Sequence, residues 1–563
     1  MTPTKPTTPT LRRTALATLL AAAAVIVAAC GGSKHNSTTS IHTTATTTPA
    51  PPSSGTTTGA TTTSTTSAAT PVQTAIWTLP DRQAQRMQVS IYDLRRDGPY
   101  LVLDFGLRCL TAGGCDTYEM LSQDSHEMTS LSEYEAQNYS ASGVVLVDPA
   151  AAQAYRVATN HDGDAFTSAL QGYSLPTGQT HLEFARYRLP PASVHELDVG
   201  FPSAGPIFSA VPITTGTQPP DVPGAVPAVS QTDASFSTTS TTGMTLPVRR
   251  LTLTSGSDSR YTTDTATRSS IALRGDVLFH FDKSSLTIRA RSSLRAVSAQ
   301  IKARATGTIQ VTGYTDDIGT RAFNLGLSRR RAASVVGALR RLTPGVRYTS
   351  TGRGEADPVA NNKTPSGRAL NRRVTVAFAV KRQPPAQQST ASGPTSTQTS
   401  GAVRFTATTG HHYRLSIASA RRDGQLLLVQ IDVACLTHPN CSPGGDLGAG
   451  TYTIPPEPAW QRVGKGYGDF AFAGIPSFDS INGFTLLDPA TGEAYLAAGT
   501  GFVPLTGTFN VNTHPAAGKT TRIWAYYPAP PASTTRLQLL APEASGYFHT
   551  STAGRPQVQL GAG

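Results

Sequence analysis

A short stretch in the middle of the 563-residue chain combines a carboxylate with several hydrogen-bonding side chains. Asp316 follows an alternating run that predicts a strand. Asn324, Ser328 and Arg331 are four and three residues apart, so they share one face of a helix. A guanidinium offers two N–H donors to an anion, and these side chains are therefore suited to binding a charged ligand. Taken singly, Asp316 is also explained as a turn-capping carboxylate and Arg331 as a surface cation.

Strands and helices must alternate to position these side chains. The apolar spacing predicts three strands and two helices. In chain order they are Val277–Phe281 (strand), Leu294–Ile301 (helix), Ile309–Tyr314 (strand), Ala332–Leu342 (helix) and Arg373–Phe378 (strand). This order predicts an α/β, or α+β, sandwich over residues 246–382.

Three separated motifs of this block resemble the OmpA-like peptidoglycan-binding family. They are Gly313–Gly319 (GYTDDIG), Asn324–Val335 (NLGLSRRRAASV) and Asn362–Val374 (NKTPSGRALNRRV). The resemblance implies non-covalent binding of the peptide stem of peptidoglycan. The family recognises diaminopimelate, whose side chain carries both an ammonium and a carboxylate.

The resemblance also implies roles for four side chains. Asp316 matches the family's aspartate, which takes the ammonium, and Arg331 matches its arginine, which binds the carboxylate. Asn324 would position the site with neutral hydrogen bonds, and Arg372 would be a second cation near the carboxylate. Tyr314 stands where many members have histidine, and we expect it to pack rather than bind.

We expect neither enzymatic activity nor a cofactor or metal. The chain shows no paired carboxylates, Cys-His pair or metal-ligand cluster in catalytic spacing.

The N-terminus combines basic residues, a short apolar run and a cysteine. The apolar run is shorter than the ~20 residues of a bilayer-spanning helix and is typical of a secretion signal. Val27-Ala28-Ala29-Cys30 resembles the lipobox of bacterial lipoproteins. The resemblance implies that residues 1–29 are removed and that Cys30 is acylated. The alternative is an ordinary signal peptide with a chance cysteine.

The other four cysteines form two pairs of equal spacing, Cys109 with Cys115 and Cys435 with Cys441. In an oxidising environment each pair is expected to close a disulfide. A zinc site is the alternative, but its ligands would come from pairs more than three hundred residues apart, at a wider spacing than a usual zinc knuckle.

Two blocks of the chain are copies of one another. Both carry Arg-Arg-Asp-Gly, Asp-Pro-Ala and Pro-Pro-Ala-Ser in the same order, starting at Arg95, Asp148 and Pro190 in the first copy and at Arg421, Asp488 and Pro530 in the second. Alternating apolar residues between Asp-Gly and Asp-Pro turns predict antiparallel strands. Each copy is expected to be an all-β, immunoglobulin-like sandwich.

Segments rich in Thr, Ser and Pro separate the blocks and have too few apolar residues to fold. We therefore predict a multidomain chain with disordered linkers. Its parts are a signal peptide (1–29), a disordered tether (30–75), the first sandwich (76–213), a linker (214–245), the OmpA-like domain (246–382), a second linker (383–402), the second sandwich (403–550) and a flexible tail (551–563).

Positive charge is concentrated in the central block. Residues 270–381 hold 20 Lys and Arg against 6 Asp and Glu, whereas the net charge of the whole chain is +12. A basic extracytoplasmic domain indicates an anionic partner. Nucleic acid is the alternative partner for Arg329–Arg331, but an exported protein rarely meets it, and a solvated helix face explains these cations as well. We expect no nucleic acid.

The lipobox and the wall motif together predict a lipid-anchored protein of the cell envelope that binds diaminopimelate stem peptides. The lipid would lie in the outer membrane of a diderm cell, or in the outer face of the cytoplasmic membrane of an actinobacterial cell. The alternative is a surface adhesion or receptor protein whose sandwiches bind a protein or glycan, with the OmpA-like domain only localising it.

Overall fold

The computed structural model describes most of the chain after residue 67. The described residues are 68–79, 85–116, 121, 140–160, 165–168, 174–216, 219–228, 243–251, 253–257, 259–265, 267–381, 398–406, 410–441, 484–500, 503–504, 515–540 and 557–560. They are mostly β-strand, with four helices in the central block. None of these helices is both long and apolar enough to cross a membrane. The predicted signal peptide and Cys30 lie outside the described residues.

Two β-sheets face each other in the first repeat. Its strands are β1 Gln73–Thr78, β2 Arg86–Asp97, β3 Tyr100–Cys109, β4 Cys115–Asp116, β5 Val145–Asp148, β6 Gln153–Tyr155, β7 Ser174–Leu175, β8 Thr180–Arg188, β9 Glu196–Gly200, β10 Ile207–Pro212, β11 Thr214–Thr215 and β12 Val248–Arg250. One sheet has the order β1-β2-β3-β8 with β11 beside β2, and the other has the order β10-β9-β5-β6-β12. Leu103 of the first sheet and Leu146 and Val199 of the second share one buried core. The repeat is thus a β-sandwich, and its immunoglobulin-like topology stays a prediction.

The central block places helices on one face of a sheet. Its elements are β13 Leu253–Ser257, β14 Arg260–Thr265, β15 Arg268–Arg274, α1 Gly275–Leu278, α2 Ala290–Arg304, β16 Ala305–Gly313, α3 Arg321–Leu342, β17 Tyr348–Gly352, α4 Pro365–Asn371 and β18 Arg373–Val380. The strands lie in the order β17-β16-β18-β15-β14-β13. Leu294 of α2 and Val335 of α3 share a buried core with Val311 of β16. The two long helices and the strands β16 and β18 agree with the sequence prediction.

The strand predicted at Val277–Phe281 is wrong. Helix α1 runs to Leu278, Phe279 forms only an isolated bridge with Leu286, and Phe281 is 89% exposed. The reason is that β15 already pairs with the edge of β18, residue for residue from Arg268 to Arg274. The apolar residues Val277–Phe281 therefore have no free edge of β18 to join.

The second repeat has the same two-layer arrangement. Its strands are β19 Gln398–Ser400, β20 Val403–Thr406, β21 His412–Asp423, β22 Leu426–Cys435, β23 Thr485–Asp488, β24 Glu493–Leu496, β25 Gly499–Thr500, β26 Val503–Pro504, β27 Thr520–Pro528, β28 Arg536–Leu540 and β29 Gln557–Gln559. One sheet has the order β20-β21-β22-β27. The other, β24-β23-β28-β29-β19, continues into the central sheet because β24 pairs with β13. Disulfides join Cys109 to Cys115 and Cys435 to Cys441.

Several segments predicted as linkers or tails extend the sheets instead. The first three residues of β1, Gln73 to Ala75, lie in the predicted tether, and β11 and Val226 of the first predicted linker bond to the first sandwich. Strand β19 of the second predicted linker pairs with β29 of the predicted tail, where Val558 is fully buried. The exposed N–H and C=O groups of edge strands accept such short segments even when they are rich in Thr and Pro.

The outer surfaces of the two sandwiches pack against each other, in a contact that we call the repeat joint. Val145 and Val147 of β5 share a buried cluster with Leu428 and Trp524 of the second repeat. Gly200 faces the Trp524 ring, and a Cβ at this position would lie 2.5 Å from a ring carbon. Only glycine therefore allows this approach.

The repeat joint also contains a group of charges that we call the joint triad, Asp198, Arg421 and Asp423, of which Asp198 is buried. One terminal guanidinium nitrogen of Arg421 lies 3.3 Å from a carboxylate oxygen of Asp198, and the other lies 2.7 Å from a carboxylate oxygen of Asp423. The Tyr526 hydroxyl donates a hydrogen bond to Asp198. Burial raises the pKa of Asp198 to about 6, although Arg421 acts in the opposite direction.

Candidate functional site

Two parallel strands of the central sheet end together and bring two acidic loops to one edge. Gly313 of β16 pairs with Gly352 of β17, and each is followed within three residues by a carboxylate, Asp316 or Glu355. Both glycines lie against α3. A Cβ on Gly313 would lie 2.2 Å from the Ser328 carbonyl oxygen. This close packing fixes α3 beside the two loops.

Asn324 connects the two loops from the first turn of α3. Its amide nitrogen donates to the backbone carbonyl of Asp316 at 3.3 Å and to a Glu355 carboxylate oxygen at 2.9 Å. The Ser328 hydroxyl, one turn later, accepts a hydrogen bond from the Gly354 N–H at 2.9 Å. Because Asn324 is 2% exposed and uses both of its N–H donors, it is built to hold the loops in place.

Asp316 belongs to a second group of charges, the site triad of Asp276, Arg372 and Asp316. Arg372 donates to Asp316 at 2.7 Å and to both oxygens of Asp276 at 3.0 Å. Its hydrogen bonds with Asp276 raise the pKa of Arg372, despite partial burial. The other Asp316 oxygen accepts from the Ile318 N–H at 3.3 Å. Arg372 thus orients the Asp316 carboxylate, which keeps acceptor capacity for a further donor.

Arg331 contributes a buried cation to the same end of the domain. It is 5% exposed, its Nε donates to the Lys283 carbonyl at 3.0 Å, and its guanidinium lies 5.1 Å from the centre of the Phe279 ring. Burial lowers the pKa of Arg331, and the charge of Arg372 lowers it further, while Asp282 and Asp316 raise it. Within the described part of the chain, no carboxylate forms an ion pair with Arg331.

These side chains can bind a ligand that carries both charges. The Asp316 carboxylate can accept a cationic donor. An anion that pairs with the Arg331 guanidinium would offset the free-energy cost of its buried charge. Over the described ranges, no three His, Cys, Asp or Glu side chains are grouped so that they could hold a metal ion. The charges of the arrangement are complementary to those of a small zwitterionic group.

The four residues proposed from the sequence all lie in this region, but sequence reasoning missed several of their partners. Asp276, which holds Arg372, precedes the recognised motifs and carries no signal of its own. Glu355 could have been found, because it follows a strand parallel to β16 just as Asp316 does. The Phe279 ring was assigned to a strand rather than to the Arg331 contact.

Apart from Arg372, the last motif has a structural role. The Asn371 side chain accepts from the Val359 and Ala360 N–H groups at 2.7 and 3.0 Å. A Cβ on Gly367 would lie 2.0 Å from the Asn361 carbonyl oxygen. Tyr314 packs against the Arg373 guanidinium, 3.8 Å from the ring centre.

Known proteins match this central region. The OmpA family matches residues 278–372. The chain is 43% identical over 115 residues to Outer membrane protein A of Bordetella avium, covering 20% of this chain and 59% of that protein. It is 39% identical over 103 residues to the Probable lipoprotein YiaD of Escherichia coli K12, covering 17% of this chain and 46% of that protein.

A solved structure, the peptidoglycan-associated lipoprotein from Burkholderia pseudomallei, is 32% identical, covers 18% of this chain and 86% of its own, and has a TM-score of 0.16. The chain spans about three fifths of the first curated relative and less than half of the second.

Proposed function

We propose that this chain, whose residues 278–372 form an OmpA family domain, binds peptidoglycan non-covalently and connects the cell envelope to the wall. The ligand is diaminopimelate of the stem peptide. Its ammonium is accepted by Asp316, and its carboxylate is bound by Arg331. Asn324 holds the two loops around the ligand, and Arg372 orients Asp316 while adding positive charge near the ligand carboxylate.

One observation carries this proposal: Arg331 is a buried cation without a carboxylate partner in the described residues, at the same end of the domain as Asp316. A buried charge is costly unless it is paired. An anionic ligand group would supply the missing pair. A ligand with an ammonium a short distance from that anion would use Asp316 as well.

The envelope location rests on the N-terminal sequence and on the relatives. Cys30, in its lipobox-like context, would carry the lipid that anchors the chain to a membrane. The names of the two relatives, an outer membrane protein and a probable lipoprotein, support an envelope protein. Mass spectrometry of the native N-terminus tests the anchor. A mature chain that begins with acylated Cys30 supports it, and a mature chain that begins with a different, unmodified residue contradicts it.

Binding of the purified full chain to diaminopimelate-containing sacculi tests the wall contact. Removing both charge-assisted contacts, in an Asp316→Ala, Arg331→Ala variant, is expected to weaken binding by roughly 100-fold. The matched control is Asp317→Ala, Arg347→Ala, which removes one exposed charge of each sign from the same domain. Equal retention of the wild type and the site variant contradicts the proposal. Asp316→Asn, which keeps an acceptor for the Ile318 N–H, separates loss of binding from loss of fold.

A further inference from the structure

The two long helices of the central domain carry charge of one sign only. Helix α2 holds four Arg and Lys and α3 holds six, and neither contains an Asp or Glu. Helices exposed to solvent usually mix both signs, since oppositely charged residues four apart stabilise the helix. The charge of α2 and α3 is therefore not explained by helix stability.

Most of these cations face outwards. Eight of them are exposed and form no ion pair with any carboxylate in the described ranges: Arg291, Arg295, Lys302, Arg321, Arg329, Arg330, Arg340 and Arg341. Arg331 is excluded, because it points into the candidate site. We call these eight residues the basic face.

The basic face is arranged in rows. Arg291 and Lys302 of α2 are eleven residues apart, as are Arg330 and Arg341 of α3, which places the cations of each pair on one side of the helix about 16 Å apart. Both helices cover the same side of the sheet and share its core. Their outward rows consequently lie side by side, as two tracks of positive charge.

We propose that the basic face binds a phosphodiester-linked polymer of the cell envelope, running along the two helices. Seven of its eight cations are arginines, whose guanidinium fork binds phosphate through two parallel hydrogen bonds. A linear polyanion can neutralise several cations of a row at once and release its counterions. The proposal rests on the envelope location but not on recognition of the stem peptide.

A membrane surface fits the basic face less well. The other exposed positions of the two helices are Ala or Ser, apart from Phe323 in the first turn of α3. Helices that lie on a bilayer insert large apolar side chains between their cations. The rows of the basic face offer small residues instead, which leave room for a chain to lie between the arginines.

Binding of the full chain to poly(glycerol phosphate) tests this proposal. The variant Arg329→Gln, Arg330→Gln, Arg340→Gln, Arg341→Gln should bind at least about tenfold more weakly. The slope of log affinity against log salt concentration should decrease in magnitude by about 3, which is roughly 0.7 for each lost phosphate contact. The matched control, Arg404→Gln, Arg414→Gln, Lys519→Gln, Arg536→Gln, removes the same charge from exposed positions of the second repeat. It should bind as the wild type does.

An equal loss of polymer binding in both variants overturns the proposal, because net charge alone would then explain binding. A wild-type chain that does not bind the polymer overturns it as well. Tighter binding to anionic phospholipid vesicles, with the same arginine dependence, overturns it in favour of a membrane. The stem-peptide site is tested separately. Asp316→Ala should leave polymer binding intact, and the four-arginine variant should still bind sacculi stripped of phosphodiester polymers with hydrofluoric acid.

Discussion

The site triad and the joint triad have the same composition, an arginine between two aspartates, but different surroundings. The Arg372 side chain of the site triad is 27% exposed, whereas the Arg421 side chain of the joint triad is 14% exposed. Asp198 of the joint triad is 1% exposed and accepts a hydrogen bond from Tyr526. In the repeat joint, this charge pattern lies between the two sandwiches and stabilises the contact between the repeats. In the site triad, the same pattern is more exposed and lies beside the buried Arg331, where it can bind a ligand.

The residue after the Asp-Gly turn differs between the two repeats, and in the second repeat it contributes to the repeat joint. In the second repeat, Gln425 follows the Asp-Gly turn, and its N–H donates to the Pro149 carbonyl of the first repeat at 3.0 Å. The corresponding residue of the first repeat is Pro99, which has no N–H. The first repeat consequently cannot form the same bond with another Asp-Pro turn.

Removing the central arginine should separate the two triads most clearly. In the repeat joint, Arg421→Ala leaves Asp198 buried and unpaired, and we expect the free energy of unfolding to fall by about 3–5 kcal/mol. In the site, Arg372→Ala removes a more exposed pair and should cost about 1 kcal/mol or less. Denaturant unfolding of the full chain measures both. Equal costs would show that the joint is no more closed than the site.

A substitution at Gly200, where the two repeats approach closely, should have a smaller effect on stability. Gly200→Ala places a methyl group within 2.5 Å of the Trp524 ring, and overpacking of this kind costs about 1–3 kcal/mol. The fluorescence of Trp524 should shift as the joint opens. Gly178→Ala is no suitable control because of its positive φ, whereas Gly337→Ala, in open space on α3, should be tolerated.

The joint triad should also make stability depend on pH. Burial raises the pKa of Asp198 to about 6 and shifts the pKa of Asp423 in the same direction. The folded chain then binds protons more tightly than the unfolded chain, so stability falls as pH rises from about 4 to 6, by about 2 kcal/mol for Asp198. Melting temperatures across this range should decline less steeply for Asp198→Asn. An unchanged slope would remove Asp198 as its source.

The smallest effect is expected for a conservative change in the site triad. Arg372→Lys keeps the charge but cannot bond both oxygens of Asp276 and Asp316 together. Asp316 is then less well oriented, and we expect binding to sacculi to weaken by about 3–10-fold with an unchanged melting temperature. Full binding by this variant would mean that orientation of Asp316 by Arg372 is unimportant.

The sequence predicted the parts of the fold that depend on local pattern. The spacing of Leu294, Val297 and Ile301 predicted α2, and the Asp97-Gly98 turn predicted the β2–β3 hairpin. It did not predict the repeat joint, because repeated motifs do not say which outer faces meet. Likewise, Asp276 reaches Arg372 only through the fold, since 96 residues separate them.

The most direct test of the central claim compares two soluble stem peptides that carry either diaminopimelate or lysine at the same position. Both supply an ammonium for Asp316, but only diaminopimelate supplies a carboxylate for Arg331. By isothermal titration calorimetry, we expect the full chain to prefer diaminopimelate by about tenfold or more, and Arg331→Ala to lose that preference. If Arg331→Ala discriminates between the two peptides as well as the wild type does, the proposed recognition is wrong.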